Sequence, residues 1–139
     1  MADSDPIELA FQTDRLMRRV NAGISQRAPH FDPERIGPIG GMILLTIAEV
    51  QPVPLQAVAD LMARDKAQLS RAISSLERRD YLRKVPNCQD QRSSLLSLTA
   101  KGEALVAEIK KELSRVLDDI FAPLTSEQRD QMLALLKML

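Results

Sequence analysis

Two short helical patterns in residues 55–79 place the strongest constraint on the fold of this chain. Apolar residues recur at helical spacing over ~55–62 and again over ~66–79, with about three residues between the patterns. The apolar faces are Leu55, Val58, Ala59 and Met62 in the first, and Leu69, Ala72, Ile73 and Leu76 in the second. Asp65 precedes the second pattern as an N-cap, and Gln68 would complete a capping box. This spacing predicts a helix-turn-helix.

A short hairpin is predicted directly after this pair. Residues 81–85 and 93–98 read as two strands, and turn-forming residues from Pro86 to Asp90 lie between them. Thr99 then caps a long helical pattern over ~100–121. A helix-turn-helix followed by a hairpin gives a mainly α fold with a small β-hairpin wing, in other words a winged helix-turn-helix.

Further helices are predicted on both sides of this motif, over ~7–27, ~39–50 and ~126–138. We expect one chain, 1–139, with a winged helix-turn-helix lobe at 36–99 and flanking helices at 1–30 and 100–139. The first and last helices are apolar on more than one face, which indicates a partner surface.

Charge is concentrated in the middle of the chain. The whole sequence is neutral, with 19 basic and 19 acidic side chains. Residues 64–92 hold eight basic and four acidic side chains, a net charge of +4, whereas 1–63 carry −3 and 93–139 carry −1. Such a basic segment is either a nucleic-acid footprint or a solvated helix face.

The second helix of the pair carries the candidate DNA contacts. Opposite its apolar face lie small hydroxyls, one amide and two arginines, and Glu77 is its one acid. Long acidic side chains would repel phosphate, so this composition suits a surface in the major groove. The predicted contacts on this helix are Gln68, Ser70, Arg71, Ser74 and Arg78.

The wing supplies further candidates. Arg92 is expected to contact the DNA backbone or the minor groove. A narrow minor groove, as in an A-tract, has an enhanced negative potential that attracts arginine. Asp90 is expected to orient the Arg92 guanidinium by paired hydrogen bonds. Lys84 and Arg83 lie on the strand that leads to the wing, and one of them, Lys84 in our prediction, meets phosphate.

Residues 55–102 resemble the core of the MarR family of transcriptional regulators. The matching features are Ser70-Arg71, the run "SLERRDYLRK", Asp90-x-Arg92 and Leu98-Thr99-x-x-Gly102. The flanking helices match in position and length, so the resemblance covers nearly the whole chain. It implies a homodimer built from the N- and C-terminal helices and a pseudo-palindromic operator.

In many members of that family, binding of a small ligand causes the protein to dissociate from DNA. By analogy, a phenolic or aromatic acid would bind between the dimer helices and the DNA-binding lobe, near Arg18, Met42 and Ile109.

The chain also departs from the family. Gly41 stands where a large aromatic is frequent, which leaves room for a pocket or for closer packing. Asp80 replaces a common glycine after the recognition helix.

Several other classes are disfavoured by the sequence. One cysteine, Cys88, and one histidine, His30, give no metal-ligand set and no catalytic triad, so we predict neither metal, cofactor nor enzyme. Cys88 is either an incidental exposed thiol or one activated by nearby cations. No membrane span and no signal peptide is apparent, which together with the single cysteine favours the cytoplasm.

The prediction is therefore a dimeric regulator, a repressor, that binds double-stranded DNA in a sequence-specific manner. The alternative is a winged-helix interaction module without DNA binding. A single-stranded nucleic-acid binder is disfavoured because aromatic residues make up 3% of the chain and no tryptophan is present.

Overall fold

The computed structural model describes residues 5–139, and eight elements follow one another along this part of the chain. They are α1 (Pro6–Phe31), α2 (Gly37–Val50), α3 (Leu55–Met62), α4 (Lys66–Arg78), β1 (Leu82–Pro86), β2 (Ser94–Leu98), α5 (Ala100–Ile120) and α6 (Ser126–Leu136). Apart from the end of α1, each predicted boundary lies within two residues of the observed one. The mainly α winged helix-turn-helix fold is confirmed.

The end of α1 differs from the prediction because a proline does not stop this helix. The predicted helix ends near residue 27, which would put Pro29 in the following loop, but α1 continues through Pro29 to Phe31. A proline within a helix removes one hydrogen bond, here to the carbonyl of Ser25. Both Ser25 and Pro29 are exposed, so solvent replaces the missing donor and the last turn persists.

The chain divides into two compact units. One unit comprises the described residues up to Arg27 together with Lys111–Leu139, and the other is Ala28–Lys110. The predicted DNA-binding lobe, 36–99, lies within the second unit. Residues 1–4 of the predicted flanking segment 1–30 lie outside the described residues.

The second unit contains the main hydrophobic core. Ile43, Leu44 and Ile47 of α2 are fully buried, and Leu69 and Ile73 of α4 are buried beside them. The wing joins this core through Leu96 of β2, whose backbone exchanges two hydrogen bonds with Val53. This arrangement explains why the α2 sequence is almost continuously apolar, because α2 lies at the centre of the unit.

Asp80 occupies a turn that normally favours glycine. Its φ is +67°, in the left-handed region that Asp tolerates better than most residues. Its N–H donates to the Glu77 carbonyl at 3.0 Å, and its own carbonyl accepts from Thr99 Oγ1 at 2.5 Å. The turn between α4 and β1 therefore forms without glycine.

The packing around Gly41 leaves room for a methyl group. A Cβ added to Gly41 would lie 3.7 Å from Ile109 Cδ1, an ordinary van der Waals distance. We expect Gly41→Ala to raise the free energy of unfolding by about 0.5–1 kcal/mol, because alanine is the better helix former. Urea denaturation followed by circular dichroism measures this change.

The neighbouring glycine provides the matched control for that experiment. A Cβ at Gly40 would overlap Ile36 Cγ2, which belongs to a stiff, branched side chain. Gly40→Ala is therefore expected to lower the free energy of unfolding by about 1–3 kcal/mol. Equal effects of the two alanine substitutions would contradict this account of α2 packing.

The first unit has a small interior. Neither α1 nor α6 contributes a buried residue, and Val116 of α5 is buried there. Glu112 is also buried, and its carboxylate accepts hydrogen bonds from Arg27 at 3.1 Å and Arg115 at 3.0 Å. Large apolar side chains of α1 and α6 remain exposed in this chain.

Among residues 5–139, no helix combines the length and the apolar run that crossing a bilayer requires.

Candidate nucleic-acid interface

The start of α4 is fixed by Asp65. Its Oδ1 accepts from the Ala67 N–H at 3.3 Å, so the predicted N-cap is confirmed. The predicted capping box is wrong, because no hydrogen bond within residues 5–139 involves the Gln68 side chain. A capping box is present instead at the start of α6, between Thr125 and Gln128. The amide of Gln68 consequently remains exposed beside the first turn of α4.

The two faces of α4 separate as the sequence predicted. Leu69, Ile73 and Leu76 are buried in the core. The predicted contact residues lie elsewhere on the helix: Gln68, Arg71, Ser74 and Arg78 are exposed, and Ser70 is half-buried. The core thus holds one side of α4 and leaves the polar side open to a ligand.

A polar cluster around Glu34 holds the far end of α4. The Tyr81 hydroxyl donates to Glu34 Oε2 at 2.6 Å, and Lys101 Nζ donates to the same atom at 3.2 Å. Lys101 also donates to the Arg79 carbonyl at 2.9 Å, and the Arg79 guanidinium donates to the Glu34 carbonyl. The loop before α2, the end of α4 and the start of α5 are joined at this point.

The protonation states of this cluster follow from its contacts. Burial, and then the bond to Glu34, raise the pKa of Tyr81 to about 12, so this residue remains a neutral donor. The bonds from Tyr81 and Lys101 lower the pKa of Glu34. The pairing of Glu34 therefore stabilises the fold at neutral pH, and this contribution is lost as the pH falls through the lowered pKa. Sequence reasoning missed the cluster, because no local pattern links positions 34, 79, 81 and 101.

The wing is an antiparallel hairpin that runs from the pair Leu82–Leu98 to the pair Pro86–Ser94. At its tip, Asp90 Oδ1 accepts from the backbone N–H of Arg92 at 2.9 Å. The expected contact between Asp90 and the Arg92 guanidinium is therefore corrected: Asp90 orients the turn, and the guanidinium has no acidic partner among the described residues. A carboxylate two residues before an N–H in a turn reaches the backbone most directly.

Ion pairing divides the arginine and lysine side chains of residues 64–110 into two groups. Four have an acidic partner within 4.0 Å: Arg79, Lys84, Lys101 and Lys110. Six side chains in 64–92 have none among residues 5–139: Arg64, Lys66, Arg71, Arg78, Arg83 and Arg92. Lys84, a predicted phosphate contact, lies 3.5 Å from Glu77. The six unpaired cations lie on α4, the turn before it and the wing.

The three residues predicted to bind an effector lie on three different helices. Arg18 lies on α1, is exposed and pairs with Asp14 at 2.7 Å. Met42 on α2 is exposed, whereas Ile109 on α5 is buried beside Gly41, the neighbour of Met42. The effector site stays a prediction.

Within the described part of the chain, no group of three or more His, Cys, Asp or Glu side chains is arranged to hold a metal. Cys88 is an exposed free thiol.

Comparison with known proteins agrees with this geometry. Residues 38–102 match the family model of a winged helix DNA-binding domain. A crystal structure of a MarR transcriptional regulator from Methanosarcina mazei superposes with a TM-score of 0.81 at 22% identity, covering 94% of this chain and 91% of that one. Residues 38–102 thus resemble a winged helix DNA-binding domain, and the chain has the fold of the MarR regulator structure.

Curated relatives of this MarR-fold chain are regulators of transcription. The regulator BilQ of Clostridioides difficile is 41% identical over 51 residues, which are 37% of this chain and 34% of BilQ. ExpG of Rhizobium meliloti, an activator of exopolysaccharide II synthesis, is 28% identical over 107 residues, 75% of this chain and 53% of ExpG. The chain thus spans about a third to about half the length of these two relatives. The matched parts of both relatives belong to proteins named as regulators of transcription.

Proposed function

We propose that this protein binds double-stranded DNA in a sequence-specific manner and represses transcription as a homodimer in the cytoplasm. The observation that carries the proposal is the open side of α4. Arg71 lies there among small hydroxyl side chains, is exposed, and has no acidic partner among the described residues. A structural arginine would be expected to have such a partner, as Arg27 and Arg79 do.

The contacts follow from helix-turn-helix geometry. The start of α4 enters the major groove, where Arg71 bonds a guanine edge and Gln68 bonds adenine. Ser70 and Ser74 contact bases or backbone beside them. Arg78, near the end of α4, meets phosphate, and the wing carries Arg92 to the adjacent backbone or minor groove.

A homodimer accounts for the apolar surface of the first unit. Ile7 and Phe11 of α1 and Leu133 and Leu136 of α6 are more than half exposed in this chain. Burying such surface against a second copy is favourable by roughly 25 cal/mol per Å² of apolar area. Two copies related by a two-fold axis present two α4 helices to DNA, which requires a pseudo-palindromic operator.

Sedimentation at micromolar concentration is expected to give the mass of a dimer. Leu133→Asp combined with Leu136→Asp is expected to shift the protein to monomer, because two buried charges would face the partner. Leu61→Asp on α3 is the control, since Leu61 is 60% exposed and the two α6 leucines are 52% and 53% exposed. A monomeric wild type, or a dimer that survives the double substitution, would contradict the proposed interface.

A small-molecule effector is part of the proposal. A phenolic or aromatic acid would favour a dimer whose two α4 helices no longer match the operator spacing. A panel of such acids is expected to contain a compound that raises the melting temperature and weakens DNA binding. A panel without effect on either quantity removes the support for this class of effector.

Selection of bound duplexes from a random pool tests the function as a whole. The expected result is a two-fold symmetric site with a fixed distance between its halves, bound more tightly than random duplex. Transcription from a promoter that contains the site then distinguishes repression from activation, the role named for ExpG. Failure to enrich any duplex would favour an interaction module instead.

A further inference from the structure

We infer that Arg64 is a further DNA-contacting residue, which holds a phosphate beside the major groove and positions α4 there. This inference rests on the proposed function and extends it to a residue outside α4 and the wing. Three observations carry it: the backbone geometry of the turn, the position of Arg64 in the lining of a cavity beside α4, and the absence of an acidic partner among residues 5–139.

The turn between α3 and α4 fixes the backbone of Arg64. Ala63 adopts a left-handed conformation with φ of +49°, and its N–H donates to the Asp60 carbonyl at 3.2 Å. The Arg64 N–H donates to the Ala59 carbonyl, also at 3.2 Å. These two bonds form the Schellman pattern that closes a helix. Arg64 is thus held one residue before Asp65, the N-cap of α4.

Arg64 is located beside one flank of α4. Together with Gln68, Ala72 and Ser75 it lines a cavity of ≈ 280 Å³ between α2 and α4. Gln68 is one of the proposed base contacts, so Arg64 is adjacent to the reading side of the helix. A side chain on the flank, rather than on the outermost face, is directed towards the wall of the groove. That wall consists of phosphates.

The position of Arg64 is unfavourable for the helix itself. A cation near a helix N-terminus opposes the positive end of the helix dipole, and beyond the N-cap Asp65 the first turn of α4 holds no acidic residue. Lys66, at the first position of α4, adds a second cation there. Other basic residues of this unit, such as Arg79 and Lys101, pair with Glu34. An unpaired guanidinium at the positive end of a helix favours binding of an anion. In the proposed complex, the anions close to Arg64 and Gln68 are DNA phosphates.

The test measures binding of full-length Arg64→Ala to the selected operator and to random duplex across a salt series. A phosphate contact carries no sequence information, so affinity for both duplexes is expected to fall by the same factor. Each lost contact flattens the log–log salt dependence by about 0.9, or about two for a dimer. At ~0.15 M salt this corresponds to a loss on the order of fivefold to thirtyfold. Arg64→Lys retains the charge and is expected to keep most of the salt dependence.

Two controls make the result specific to Arg64. Lys110→Ala removes one charge from α5 in the same unit, where Lys110 pairs with Glu49 at 3.3 Å, and is expected to bind like wild type. The melting temperature of Arg64→Ala is expected to equal or slightly exceed that of wild type, because a cation at the start of α4 is removed.

Three outcomes are decisive. A uniform loss with a flattened salt dependence supports the inference. Wild-type affinity and salt dependence in Arg64→Ala, with a loss in Arg71→Ala, overturn the inference and leave the proposed function intact. A loss confined to the operator also overturns it, because Arg64 would then read a base. Absence of DNA binding by the wild type itself is a different result and refutes the proposed function.

Discussion

Arg71→Ala is expected to weaken operator binding by about 1–3 kcal/mol per half-site and to relax base preference at one position in each half. Arg71 is exposed in the first two turns of α4, where a recognition helix reads base edges. In a dimer the loss occurs twice, so the total is about double the single-contact value. Binding to random duplex is expected to change much less, because that binding depends on phosphate contacts.

Arg92→Ala is the matched comparison for that experiment. Arg92 is also exposed, but it lies at the wing tip, where the Asp90 turn presents it to backbone or minor groove. Its loss is expected to weaken operator and random duplex alike and to reduce the salt slope by roughly one unit per lost phosphate contact. A narrow A-tract beneath the wing would make part of this loss specific to the operator.

The measurement is affinity for both duplexes across a salt series, with unfolding free energies determined in parallel. Neither substitution is expected to alter folding, since neither side chain has an ion-pair partner in residues 5–139. Wild-type affinity in both variants, with folding intact, would show that α4 and the wing are not the DNA-binding surface. The interaction-module alternative would then take the place of the proposed function.

Gly102→Ala is expected to lower the free energy of unfolding by about 1–3 kcal/mol, towards the upper end of that range. A Cβ at this position would overlap the backbone carbonyl oxygen of Tyr81, which cannot rotate away as a side chain can. The same carbonyl accepts from the Thr99 N–H at 3.1 Å, and Thr99 Oγ1 accepts from the Gly102 N–H at 3.0 Å. The start of α5 is thus packed directly against the base of the wing.

Urea denaturation checks this expectation, and Gly41→Ala serves as the control. Both substitutions add one methyl group to a helical glycine, but the contact of Gly41 with Ile109 is an ordinary one. The two variants are therefore expected to change stability in opposite directions. A Gly102→Ala protein as stable as wild type would mean that α5 moves readily relative to the Tyr81 carbonyl. The packing also explains why Leu98-Thr99-x-x-Gly102 occurs as one motif.

The helices and strands were predictable from the sequence because their determinants are local. Apolar periodicity, the Asp65 and Thr125 caps and the Pro52–Pro54 break all act within a few residues of the elements they define. The two faces of α4 were predictable for the same reason, since a helix fixes which side chains share a side. The prediction for Pro29 failed because a proline in an exposed last turn removes only one hydrogen bond.

The tertiary structure decided which polar groups meet. Glu34 contacts Tyr81 and Lys101, which are 47 and 67 residues away along the chain, and no local pattern encodes such a contact. The structure likewise pairs Lys84 with Glu77 and directs the Asp90 carboxylate to a backbone N–H instead of a guanidinium. Sequence determines which cations exist and on which element they lie. Whether a cation is neutralised within the protein or left for DNA depends on distances between side chains, and only folding sets those distances.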